Sequence, residues 1–519
     1  MSMFNLFLFP SLPLILTILA VVYYILPYFT TFRSLASIHG PWSAKFSNIW
    51  LGLSTRNGRK FAAAIGRIGN MGRFSVLGTI IREGIADSVR AWKFLPERVH
   101  RPNCSASSRR LTNCSTFYEA FVVGTTGMFN TRDRIDHTRK RKLMAHAFSL
   151  KSVGKFEPYM KSSLERWVAQ LDRKTAYPTQ NGLHKFDAMP WFSFLAFDII
   201  GDLAFGSLFG MVKKGRDEVE AQLTHGGPVT VTPAVEVLNR RGEVSSALGL
   251  RPALRPIAKY LPDPFFTKGV EAVADLNGIA VRSVVSRLGE YEGEKEKKSW
   301  DSGRKDILER LIHGKDAHGN KMDRREITAE ALTQLITGSD TISKTSCAVF
   351  YWILHGERAW PGTVLPKLRA ELDAAILPGE DVASYVSIRK LPFLKCCIDE
   401  GMRLHSTSAI SLPRRVTSEG VEFDGVRFPT GTVLSVRSYT IHYLEEIWGP
   451  DVNEFKPDRW LSLNTRQKRA LNPFSYGPRA CVGQNVAIME LQIIIGTEFR
   501  RYDFELHQQV LESHEGFSK

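Results

Sequence analysis

Phe474-Ser475-Tyr476-Gly477-Pro478-Arg479-Ala480-Cys481-Val482-Gly483 is the stretch that decides how this 519-residue chain is read. It has the makings of a loop that holds one thiolate against a large cofactor. Phe474 supplies an aromatic wall. Gly477 and Gly483 allow backbone turns and a close approach that a Cβ would block, and Pro478 stiffens the turn. Arg479 places a permanent positive charge two residues before the sulfur. Beyond Gly483, the residues Val486, Ala487, Ile488, Met489, Leu491, Ile493 and Ile494 predict an apolar helix. The N–H groups and dipole at its start favour a thiolate. A lone cysteine is ordinarily a small buried hydrophobe, but glycine, arginine and aromatic at these offsets argue against that role here.

Four further clusters lie outward from the loop. Glu400 and Arg403 stand at i and i+3, so they share a helix face. The preceding run, with Leu391, Phe393, Leu394 and Ile398, is too apolar for an exposed helix. Phe455-Lys456-Pro457-Asp458-Arg459-Trp460 follows downstream. Thr337-Gly338-Ser339-Asp340-Thr341 lies inside a long helical pattern from Thr328 to His355. Glycine there costs about 1 kcal/mol relative to alanine, and the small polar residues predict a local distortion of the hydrogen-bond ladder. The last cluster is His137-x-x-x-Arg141 in a basic run, with Leu412-Pro413-Arg414-Arg415 as a second basic site.

The pattern F-x-x-G-x-R-x-C-x-G resembles the haem-thiolate loop of the cytochrome P450 superfamily, and the other clusters resemble its remaining parts. The resemblance implies a mainly α fold, with a large helical domain and a small β-rich domain. It makes Cys481 the axial iron ligand of haem b, whose thiolate favours O–O cleavage. Phe474, Arg479 and Gly483 become cofactor-binding residues of the same loop. Glu400, Arg403 and Arg459 match a buried structural triad, in which removing one partner would strand a charge. Asp340 and Thr341 match the proton-delivery pair on the oxygen side, although Thr337 stands where the family has Ala or Gly. His137, Arg141 and Arg414 match positions that bind the haem propionates as charge-assisted donors, with Arg414 favoured over Arg415.

Composition accords with a large catalytic domain, at 43% hydrophobic residues. The cysteines Cys104, Cys114, Cys347, Cys396, Cys397 and Cys481 show neither disulfide nor zinc spacing, which suits a reducing compartment. The charged stretch from Gly289 to Asp306 predicts an exposed loop. No residue from Met1 to Phe32 is charged, and Leu12 to Phe29 could span about 27 Å as a helix. Residues 1–31 are therefore expected to form a transmembrane anchor, and 32–56 a Pro/Gly hinge. Arg33 and Lys45 follow the span, which places the catalytic domain in the cytosol. The resemblance puts the anchor in the endoplasmic reticulum membrane, as a single pass. Net charge is +16. With no nucleic-acid motif, Arg466, Lys468 and Arg469 beside the cysteine loop suggest an acidic electron donor. The resemblance implies NADPH-cytochrome P450 reductase.

Within the superfamily, the stretches around Gly127–Arg134, Phe197–Gly206, Glu236–Ser245, Thr328–Thr341 and His405–Ala409 resemble the fungal benzoate para-hydroxylase family. That implies O2 and a small aromatic acid as substrates, with hydroxylation at the para carbon. Ile342 and Lys344 differ from the Thr and Asn expected of that family. Another aromatic, or a secondary-metabolite scaffold, is the alternative substrate. Residues 57–116 also depart from the pattern, in place of part of the small β domain and the B–C region, and 117–519 form the haem-binding monooxygenase domain. A retained intron, a frameshift or a degenerate copy would explain the 57–116 segment. An inactive haem-binding paralogue is the reading that follows from it.

Overall fold

The computed structural model describes residues 18, 111–112, 115–176, 184–296, 306–407, 412–417, 420–423, 426–435 and 438–506. The expected anchor (apart from Ile18), the hinge, and most of segment 57–116 lie outside the described residues. The main helices are α1 (Arg134–Ala145), α2 (Glu157–Thr175), α3 (Ala188–Phe205), α4 (Ala234–Leu250), α5 (Pro264–Glu296), α6 (Arg324–Ala359), α7 (Leu365–Ala375), α8 (Pro392–Leu404), α9 (Thr465–Ala470) and α10 (Gln484–Arg501). Strands are short. β4 (Arg414–Val416) lies between β1 (Leu111–Thr112) and β7 (Val433–Leu434), with Arg415 opposite both Thr112 and Val433. Two hairpins, β2 and β3 (Val219–Ala221, Thr230–Thr232) and β5 and β6 (Val421–Phe423, Val426–Phe428), complete the described strands.

The core is organised around α6, which packs against α3, α5, α8 and α10. No proline interrupts its 36 residues, and Asp323 caps its start by accepting the Glu326 N–H at 2.8 Å. The expected distortion near Gly338 is absent, because α6 is α-helical throughout. The polar side chains satisfy themselves along the helix instead. Thr333, Thr337 and Thr341 each donate to the carbonyl four residues back, at 2.9, 2.8 and 2.7 Å. Gly338 serves packing: a Cβ there would lie 2.5 Å from Ile200 Cδ1, so the glycine lets α3 approach α6.

α3 is buried from Phe192 to Phe205. Asp187 caps it, and Gly206 ends it at φ +75°. It is long and apolar enough to cross a membrane, but its burial against α6 makes it a core helix. Its Asp198 accepts the N–H groups of Met211 and Val212, both at 3.0 Å. α5 corrects a second expectation, since the helix continues to Glu296 into the stretch predicted as loop. Glutamate and lysine there are good helix formers, and their propensity outweighs the charge of the stretch.

Candidate active site

The Cys481 loop closes on itself where the Cys481 N–H donates to the Phe474 carbonyl at 2.9 Å. Gly477 turns the corner at φ +80°, and Ser475 stands at φ +59°. Ser475 is the lone non-glycine at positive φ among the described residues, and such a position costs of order 1–3 kcal/mol. Phe474 and Val482 pack on the main core. Gly483 differs from expectation. Its φ is −84°, as N-cap of α10, and a Cβ there would sit 3.9 Å from the Cys481 sulfur, an ordinary contact. Its contribution is a backbone N–H directed at the sulfur.

The Cys481 side chain is solvent-accessible, yet protein surrounds it so closely that desolvation raises its pKa. An accessible sulfur in dense surroundings lies in a recess. The Gly483 N–H and the Arg141 charge pull the pKa the other way. Burial drives the Cys347 thiol to about 12 and the Cys396 thiol to about 11, which makes both inert as ligands.

Arg141 ties α1 to this loop by donating to the Ala480 carbonyl at 2.8 Å. His137, Arg414 and Arg479 converge on the same place. Alternate residues of a strand face opposite ways. Accordingly Arg414 reaches the Tyr118 hydroxyl, whereas the Arg415 guanidinium lies near Gly431. Tyr118 is buried and also donates to the Pro413 carbonyl at 3.3 Å. His137 is buried, and its pKa falls to about 4, first through desolvation and then through the charges of Arg479, Arg141 and Arg414. Burial and the three arginines thus both disfavour the charged form of this imidazole. Asp136 opposes them only weakly, being held by Arg139 at 2.7 Å and Lys140 at 3.3 Å.

This donor set fits a metal-bearing group with carboxylate arms. A soft sulfur in a recess suits an iron centre. Clustered cations with so little acid among them are costly unless an anion joins them.

Glu400, Arg403 and Arg459 come together behind the loop. Glu400 and Arg403 are fully buried and form a two-pronged pair, at 2.9 and 2.8 Å. Glu400 also accepts from Arg459 Nε at 2.9 Å, Trp460 Nε1 at 2.9 Å and the Lys456 N–H at 3.0 Å. Arg403 spends its remaining donors on the carbonyls of His442, Val452 and Glu454. The Arg459 guanidinium reaches the carbonyls of Trp448 and Asp451.

Thr337, Asp340, Thr341 and Lys344 form an accessible strip on the otherwise buried middle of α6. The helix spacing puts them on one side. Asp340 pairs with Lys344 at 2.6 Å. The Thr341 hydroxyl donates to its own helix, which leaves its lone pairs open. A surface cavity lined by Asp172, Asp381, Arg501 and Tyr502 shares no residue with these clusters. Sequence reasoning singled out neither Tyr118 nor Arg241, and it passed over Ser475 as a variable position of the cysteine loop.

The mainly α architecture, the cysteine recess rimmed by arginines and the saturated Glu–Arg brace suit an enzyme built around an embedded prosthetic group. The model of the cytochrome P450 family matches residues 95–518, and the chain belongs to that family. It is a P450 monooxygenase, and the family works through haem iron. The chain is 46% identical over 512 residues to the benzoate 4-monooxygenase bphA of Aspergillus niger, covering 96% of this chain and 93% of that one. It is 27% identical over 515 residues to the cytochrome P450 monooxygenase ORF9 of Penicillium roqueforti, covering 98% and 91%. Against the cytochrome P450 monooxygenase pkfB of Emericella nidulans the identity is 26%, covering 95% and 91%.

Proposed function

We propose that this enzyme hydroxylates a small aromatic carboxylate of the benzoate type at the para carbon. The net reaction converts benzoate, O2, NADPH and a proton to 4-hydroxybenzoate, water and NADP+. The likeness to bphA supports the substrate class. The observation that carries the chemistry is the recess around Cys481, with Arg141 bonded to its loop and basic side chains gathered beside it.

In this reading the group is haem b, and Cys481 would hold its iron through the thiolate. Bound haem supplies the activation of O2, with thiolate donation favouring O–O cleavage. Arg141, Arg414 and Arg479 hold its carboxylates, and His137 adds a neutral donor. Phe474 packs beside the ligand. Glu400, Arg403 and Arg459 hold the wall behind the loop in place. Asp340 accepts a proton from solvent and passes it to Thr341, whose hydroxyl presents it to the reacting centre. The Thr337 carbonyl holds that hydroxyl in place between turnovers.

The electron donor is a flavoprotein reductase with an acidic face. It docks where α9 presents exposed Lys468 next to the cysteine loop, while Arg466 is partly engaged by the Glu446 carbonyl at 3.2 Å. The apolar segment 1–31 anchors the chain in the endoplasmic reticulum membrane. Reconstitution with a fungal reductase, NADPH and benzoate tests the reading. 4-Hydroxybenzoate formed in step with NADPH oxidation is the expected result. An enzyme with a native reduced carbon-monoxide band that neither binds nor oxidises benzoate would overturn the substrate assignment.

A further inference from the structure

Arg241 is a charged side chain for which the reaction described above has no use. It lies on α4 and is 6% exposed. Its guanidinium stands over the Phe121 ring at 5.5 Å and donates to the Phe121 carbonyl at 3.4 Å. That carbonyl is already taken by Asn130 Nδ2 at 2.8 Å. A guanidinium carries five N–H donors. Among the described residues no carboxylate lies within ion-pair distance of this one.

The acid whose charge reaches Arg241 is Asp340. Asp340, however, is bound to Lys344 at 2.6 Å. The carboxylate whose charge acts on Arg241 is thus one already paired with a lysine on the accessible strip of α6. Asp340 can neutralise only one partner, and the geometry gives it to Lys344. Arg241 remains a buried cation with a weak bond and a ring face, an arrangement that is costly unless a ligand completes it.

The surroundings say what that ligand is. Phe121 packs against Phe117 at 5.2 Å and Phe129 at 5.8 Å, and Tyr118 joins Phe129 at 5.8 Å. One aromatic cluster therefore runs from Arg241, through Phe121, to Tyr118. Tyr118 in turn holds Arg414 of the basic group beside Cys481. A planar fork of donors matches a carboxylate, and rings beside it match a flat apolar body.

We propose that Arg241 binds the carboxylate of the aromatic substrate, and that Lys344 keeps Asp340 from occupying Arg241 in its place. The proposal rests on the monooxygenase reading and narrows its substrate to ring acids. Lys344, a departure from the resembled family, acts here as a positioning residue. It holds the negative charge of the strip away from the anchor.

Equilibrium dialysis on the full-length, membrane-reconstituted holoprotein tests this, with ring-labelled benzoate and its neutral isostere benzamide. Wild type binds benzoate more tightly than benzamide. Arg241→Gln weakens benzoate by about 10- to 100-fold and leaves benzamide within about twofold, on the same principle of a lost charged bond. Arg241→Lys, which keeps the charge but loses the fork, falls between. Lys344→Met frees Asp340 to pair with Arg241 and weakens benzoate but not benzamide. The reduced carbon-monoxide band of each variant shows that the fold and the cofactor are retained.

Unchanged benzoate binding in Arg241→Gln overturns the anchor and leaves the proposed function standing. Equal losses for benzoate and benzamide also overturn it, since they mark Arg241 as a packing residue. If wild type ignores benzoate but prefers phenylacetate or cinnamate to the corresponding amide, the anchor stands and the benzoate assignment falls. If wild type prefers the amide throughout, the anchor falls.

Discussion

Two ion-pair constellations in this structure are built in opposite ways. The brace of Glu400, Arg403 and Arg459 is closed. Glu400 accepts five hydrogen bonds, and Arg403 is surrounded by carbonyls. The strip of α6 is open, because Asp340 and Lys344 are only partly buried and the Arg241 guanidinium is left with one weak bond. A saturated network resists change, whereas one with surplus charge is arranged to receive something. The brace should therefore govern stability, and the strip should govern chemistry with little effect on stability.

The largest effect is expected at the brace. Glu400→Gln removes the carboxylate that Arg403 and Arg459 share, leaving Arg459 only the longer contact to Asp451 at 3.4 Å, and should cost about 3–5 kcal/mol. Denaturant unfolding should show that loss, together with poor recovery of the carbon-monoxide band. A cost below about 1 kcal/mol, the range of exposed pairs, would erase the distinction between the two regions.

Buried acids without such a network should behave differently. Burial pushes the Glu490 carboxyl up to about 8, and the Glu498 carboxyl, which accepts from Trp167 Nε1, also to about 8. The folded pKa is raised above the unfolded value of 4.5, so between pH 4.5 and about 8 the folded chain holds more protons than the unfolded one. Stability is therefore greatest below that window and falls as pH rises through it. Glu490→Gln should flatten that fall by on the order of 2–4 kcal/mol across the window. Unfolding titrations from pH 5 to pH 8.5 measure it, and an unaltered slope would show that Glu490 titrates normally.

A smaller effect is expected at the helix contact beside the strip. Gly338→Ala drives a Cβ to within 2.5 Å of Ile200 Cδ1. Overpacking of this kind costs about 1–3 kcal/mol, against a gain in helix propensity of about 1 kcal/mol. The melting temperature should fall modestly. Gly289→Ala on α5, where a Cβ meets nothing within 4 Å, should raise it. If both substitutions stabilise, α3 and α6 are not held together as closely as the structure has them.

Much of the brace and the cysteine loop was legible because their motifs encode local geometry. A two-pronged Glu–Arg pair needs only helix spacing, and the Gly477 turn needs only a residue free to take positive φ. The misreadings came from distant partners. Burial lowers the His137 pKa first, and arginines supplied by the cysteine loop, α1 and β4 lower it further. Gly338 was read as a weak point of its own helix, whereas its constraint comes from Ile200 on α3. Tyr118 meets Pro413 across 295 residues of sequence, a contact that no spacing could announce. Arg241 was quoted within a family-like stretch, but its significance depends on Asp340 choosing Lys344.

The strip should show the smallest effect on stability and a clear effect on chemistry. The Thr341 hydroxyl bonds only to its own helix, and such back-bonds add little to helix stability. Asp340 and Lys344 are partly exposed, so solvent screens their pair. Thr341→Ala and Asp340→Asn should each change unfolding free energy by less than about 1 kcal/mol. Both should keep the carbon-monoxide band. If Asp340 and Thr341 deliver protons, both variants should divert electrons away from product. The ratio of hydroxylated product to NADPH consumed then falls several-fold, and hydrogen peroxide rises to match. Asp340→Asn should add a slower overall rate, since a missing acid–base group costs about 100-fold or more when it serves the limiting step. Unchanged coupling in both variants would remove Asp340 and Thr341 from proton delivery. A loss of several kcal/mol in either would make the strip a second brace.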